Sequence, residues 1–108
     1  MIARTWRGQT TAEDADPYVD YQRGTGVTAY RETEGNLGAL MLRRPLENSV
    51  EFLFISLWES FDAVRRFAGE DYERAVFYPA DDVFLVAKDP HVEHYEVLHL
   101  NCEMSHGT

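Results

Sequence analysis

Residues 51–58, EFLFISLW, limit what this chain can fold into more than any other stretch. A run of this length without glycine or proline, rich in aromatic and aliphatic residues, is too short for an independent helix and suits a strand. Side chains alternate across a strand, so Phe52, Phe54, Ser56 and Trp58 share one face while Leu53, Ile55 and Leu57 share the other. Both faces are apolar. Such a strand has to be covered on both sides, so its partners must come from the flanking segments or from another chain.

The strand runs directly into a helix. Ser60 stands where an N-cap belongs, able to accept from the free amides of the first turn. Phe61, Val64 and Phe67, with Ala68, recur at helical spacing, and Arg65 and Arg66 lie toward the negative end of the helix dipole. Gly69 is placed to stop it. Asp71 is expected to cap a second short helical turn running to Phe77 and ended by Pro79.

The rest of the chain has the same character. Residues 2–8 read as a first strand, with Ile2, Arg4 and Trp6 on one face and Ala3 and Thr5 on the other. Thr10-x-x-Glu13 has the form of a capping box, and Tyr18, Tyr21 and Thr25 line the helix it would start. Gly24 and Gly26 are expected to kink that helix or break it in two before Tyr30. After a turn at 34–36, residues 38–44 form a second strand closed by Pro45, and 47–49 connect it to the central strand as a hairpin. Residues 81–88 read as a brief edge strand and 91–100 as a last strand. Residues 1–100 make one domain, followed by a polar tail over 101–108.

Strand, helix, strand, strand, helix, strand is the order of an α+β, ferredoxin-like fold: a four-stranded antiparallel sheet with two helices on one face. Two helices cover one sheet face only. Leaving either set bare on the other, Leu53, Ile55 and Leu57 or the opposite one, would forgo about 1.5–3 kcal/mol for each side chain. A second sheet is the natural cover, which predicts a homodimer formed face to face.

Nineteen acidic against ten basic residues give a net charge of −9, which repels phosphate backbones and anionic membrane surfaces. The expected partners therefore exclude nucleic acid and membrane. Cys102 is the only cysteine and has no internal partner. With no secretory or spanning segment legible, the expected location is cytoplasmic.

Residues 1–100 resemble the antibiotic-biosynthesis-monooxygenase family of dimeric α+β barrels. The resemblance rests on the strand-helix order, on SLWES at 56–60 and on DYERAVFYP at 71–79. It implies a cofactor-independent monooxygenase acting on a small aromatic of the quinol or anthrone type. The alternatives it leaves open are a non-catalytic small-molecule-binding dimer and a polyketide-cyclase-like protein. Trp58 matches the strand-end Trp of the anthrone-oxidising members and is the expected catalytic residue, while the Asn those members carry four residues earlier is Phe54 here. The haem-degrading members use an Asn on the first strand, absent from 1–8, and a Trp and a His whose positions hold Phe67 and Phe77. No cofactor and no metal are therefore expected. Trp6, Tyr30, Arg43 and Tyr78, with Phe54 and Phe67, are the expected substrate-binding residues; aromatic side chains with polar tips suit a flat phenolic ligand and equally suit the edge of a core.

Other constellations carry less. His91 and His94 point to opposite faces of a strand, and His91 and His99 share a face too far apart for one ion. His94 and Tyr95 likewise point apart, one toward the core and one toward the surface. Gly24-Thr-Gly-Val-Thr-Ala29 has the spacing of a dinucleotide fingerprint but comes after a helix instead of a strand. Asp81 and Asp82 read as a solvated turn.

Overall fold

The computed structural model describes residues 1–102. Strand β1 (Ile2–Thr10) is followed by helices α1 (Ala15–Gly24) and α2 (Gly26–Glu32), then by the hairpin of β2 (Asn36–Pro45) and β3 (Val50–Trp58). Helix α3 (Phe61–Ala68) leads through an irregular segment to the short α4 (Asp81–Phe84), β4 (Leu85–Lys88) and β5 (Glu93–Glu96). Strand order is β2-β3-β1-β4, with β5 also on β1. All pairings are antiparallel, so this is the ferredoxin-like α+β arrangement.

The sheet has five strands where the sequence predicts four. β4 and β5 divide one edge of β1 between them, β4 against Gly8–Thr10 and β5 against Ile2–Thr5. Pro90, which cannot donate to a ladder, falls in the break. The expected edge strand over 81–88 is half helix, and the expected last strand over 91–100 joins the sheet only from Glu93 to Glu96, His91 bridging Arg74 instead. In the second, Glu96 lies opposite Ile2, the first residue of β1, and Val97 N–H donates to the Met1 carbonyl. Beyond it Leu98 is 87% exposed. The rest of the predicted tail, 103–108, lies outside the described residues.

Two predicted caps also differ. Thr10 does not open a helix; it stays in register with Val50 as the buried last residue of β1, and Thr11 instead accepts from the Asp14 amide at 3.2 Å. No helix forms between Asp71 and Phe77. That segment bonds to 90–92, Val92 N–H donating to Glu73 and Ala75 N–H to Pro90. The break at Gly24–Gly26 does divide α1 from α2. Ser60 does cap α3, its hydroxyl accepting from Ala63 N–H at 3.3 Å, and Gly69 ends it at φ 85°.

The two-faced strand holds as expected. Phe52, Phe54, Ser56 and Trp58 are buried on the helix side. Leu53, Ile55 and Leu57 lie on the open side and are only half-buried, beside exposed Leu40 and Leu42 across the hairpin. Under the helices the core is in two clusters, one around Tyr18, Phe52 and Phe54, the other around Trp58, Ala63 and Val64. Among the described residues no helix is long and apolar enough to cross a membrane.

Candidate functional site

Between the two clusters the helix side of the sheet encloses a cavity of about 30 Å³, room for one or two waters. Its floor is Arg4 and Trp6 of β1 and Phe54 of β3. Tyr18 and Gln22 of α1, Tyr30 of α2 and Phe67 of α3 form its walls. The irregular segment before α4 roofs it with Phe77 and Tyr78. Phe77 packs edge-on against Trp6 and is 36% exposed, so the roof is the wall with least behind it.

Arg4 is the unusual floor residue. Its alternation with Ile2 and Trp6 turns it to the covered face, and it is 4% exposed. Nη1 donates to the Tyr72 carbonyl and to His94 Nε2 at 3.0 Å, and Nη2 to the Arg74 carbonyl at 3.0 Å. Burial holds its pKa below the ordinary value, partly offset by Tyr30, yet a guanidinium stays charged. Because Arg4 only donates, His94 must accept through Nε2, which fixes the neutral imidazole with its proton on Nδ1. Burial and then the Arg4 charge push the His94 pKa down to about 4.

Tyr30 links the cavity to the second cluster. Burial, against the opposing pull of Arg4, pushes its pKa up to about 12, so its phenol stays protonated and can donate. Its ring packs on Trp58 and Phe67, and its hydroxyl lies near the Ser56 side chain. Ser56 in turn accepts from the Trp58 indole, Nε1 to Oγ at 2.9 Å. At the opposite end Asp81, 3% exposed, accepts from the Tyr78 amide at 2.6 Å and from Gln22 Nε2 at 3.3 Å. Gln22 also reaches the Tyr18 hydroxyl. Burial raises the Asp81, Tyr78 and Tyr18 pKa values.

Of the expected site residues, Trp6, Tyr30, Phe54, Phe67 and Tyr78 are brought together on the cavity. Two lie elsewhere. Trp58 is fully buried behind Tyr30 and Phe67, its N–H engaged by Ser56. Arg43, opposite Phe52 on the sheet's outer strand, pairs with Asp16 at 2.6 Å on an outer groove. Asp81 corrects the solvated-turn reading, because α4 turns it inward under Tyr78 and Gln22. Arg4, Gln22 and Asp81 were missed as site residues. For Arg4 a signal existed: a charge at the covered parity of a strand requires a partner or a purpose. His94 faces Arg4 from the covered side while Tyr95 lies on the open one, as expected.

Fold and cavity together define a ferredoxin-like α+β protein with an aromatic, donor-lined hollow between sheet and helices. No family model matches the sequence, and no curated protein does. Solved structures do. The haem-degrader MhuD from Mycobacterium tuberculosis, with two haems in its active site, is 19% identical, the match covering 95% of this chain and 100% of that one at a TM-score of 0.56. A Bacillus cereus protein named as an antibiotic biosynthesis monooxygenase is 16% identical, over 94% and 97% of the two chains, at 0.59. SnoaB, a cofactor-independent oxygenase from Streptomyces nogalater solved as a point mutant, is 14% identical, over 94% and 98%, at 0.54. The chain thus has the fold of the antibiotic biosynthesis monooxygenases.

The cavity does not suit haem held by an axial ligand. Among the described residues, none that line it is His, Cys or Met. An axial phenolate would have to be ionised, and burial opposes that at Tyr18, Tyr30 and Tyr78 alike.

Proposed function

We propose that the chain is a cofactor-independent monooxygenase of the antibiotic-biosynthesis type, acting on a small quinol- or anthrone-like aromatic as a cytoplasmic homodimer. The observation that carries this reading is a cavity with flat aromatic walls and, at one end, a buried cation beside a protonated phenol, Arg4 and Tyr30. In such a reaction the substrate supplies its own electrons. Its deprotonated ring passes one electron to dioxygen, the pair recombines at carbon as a hydroperoxide, and loss of water leaves a carbonyl: CH₂ plus O₂ gives C=O plus H₂O. Arg4 and Tyr30 stabilise the oxyanion, and the aromatic walls exclude water from it. Entry of a substrate larger than the present hollow requires Phe77 and Tyr78 to swing outward.

Trp58 contributes as a positioning residue, packing against the Tyr30 ring and holding Ser56 beside it. The homodimer rests on the open sheet face, where Leu40, Leu42, Leu53, Ile55 and Leu57 lie together. One observation favours a binding protein without turnover: the one indole N–H expected to face a ligand is committed to Ser56. Oxygen uptake by metal-free protein over a panel of quinols and anthrones separates the two. Uptake lost in Tyr30→Phe supports the oxygenase; binding without uptake supports the alternative.

A further inference from the structure

We propose that the cavity selects an aromatic carrying a full negative charge, a carboxylate or an ionised hydroxyl, and that Arg4 is the group that receives it. This deepens the proposed function and rests on it. Arg4 is almost completely buried, yet no carboxylate lies within ion-pairing distance of it among the described residues, where every ion pair joins other groups. Two carbonyls and a neutral imidazole orient the guanidinium without cancelling its charge. A buried charge left in that state is costly, and a guanidinium cannot escape by losing its proton.

The donor count points to where the missing anion sits. Of five N–H groups, three are engaged, by the Tyr72 carbonyl, the Arg74 carbonyl and His94. The Nε–H and one Nη2–H have no acceptor among the described residues. Because no buried side-chain nitrogen among the described residues lacks a partner, Nε keeps access to free space, and Arg4 lines the cavity. Nε–H and Nη2–H together form the fork that matches two oxygens of one anion.

The surroundings agree. Tyr30, protonated at neutral pH, adds a donor beside Arg4 and has no negative charge of its own. Asp81, the carboxylate that does line the cavity, is tied to Gln22 and the Tyr78 amide, so an anion is oriented with its charge toward Arg4 and its ring toward Trp6 and Phe54. On a chain of net charge −9 this attraction has to be local.

The test uses the intact chain with 2-naphthoate and its uncharged counterpart 2-naphthamide, by calorimetric titration at pH 7. Wild type should bind the naphthoate at least ~10-fold more tightly, as a charge-assisted fork implies, and Arg4→Gln should bring the two within about twofold. Should Arg4→Gln fail to fold, the wild-type ratio still decides, together with the Arg4 Nε–H resonance, which should move with naphthoate and not with naphthamide. Equal affinities in wild type, or a preference that survives in Arg4→Gln, would overturn the inference and leave the aromatic pocket standing. Binding of neither probe would overturn both.

Discussion

Arg4 and His94 face each other across β1 and β5 as register partners, Nη1 3.0 Å from Nε2, a cation donating to an imidazole kept neutral for it. The pairing ties the strand edge to the cavity floor, and it sets the first expectation.

His94 should titrate near pH 4, well below the unfolded value of about 6.5. Its folded pKa is depressed, so the unfolded chain takes the proton first as pH falls. Its contribution to stability is therefore complete above about pH 6.5 and is lost progressively down to pH 4. The imidazole resonances give the pKa directly, and His94→Phe should flatten the difference in urea midpoint between pH 7 and pH 5. A His94 titrating at 6.5 would contradict the pair.

Trp58→Phe separates support from contact. From the sequence, Trp58 is expected on the pocket wall, so that its loss spares stability and weakens ligand binding. With the indole buried and bonded to Ser56, the replacement should instead cost about 1–3 kcal/mol of stability, from lost packing and an unpaired Ser56. As a positioning residue it should lower turnover while leaving KM nearly unchanged. A large rise in KM at unaltered melting temperature would return Trp58 to the wall.

Sedimentation should give twice the chain mass at micromolar concentration. Leu42, 42% exposed on the open face and opposite Leu53, is the place to break the dimer. Leu42→Glu should yield folded monomer, since the charge stays in water until a second sheet covers it. A wild-type monomer would leave the open face without a cover.

The protein should purify colourless and bind haem only loosely, with no His, Cys or Met on the cavity wall among the described residues. A Soret band saturating sharply at one haem per chain would be the contrary result.

Gly35 joins α2 to β2 at φ 92°, and an added Cβ would stand 2.5 Å from that of Ala63. Gly35→Ala should therefore destabilise by more than ~1 kcal/mol, through both backbone strain and displacement of α3. An unchanged melting temperature would mean that this junction yields easily.

Periodicity within single elements made much of this fold legible in the sequence. EFLFISLW declared two apolar faces, Ser60 and Gly69 bounded α3, and the glycines at 24 and 26 split the first helix, because each is decided by side chains within a few residues. The aromatic share of the cavity came from the same local signals. The rest depended on where strands run out of partners and on which groups distant segments bring together. Thr10 stayed in the sheet because Val50 was opposite it, and β5 found its partners only in Ile2–Thr5 of β1. Asp81 became a cavity carboxylate only when α4 turned it beneath Gln22. Arg4 acquired its meaning from Tyr72, Arg74 and His94, 68 to 90 residues away in sequence. Burial and pairing of a charge are properties of the assembled interior, and no local pattern encodes them.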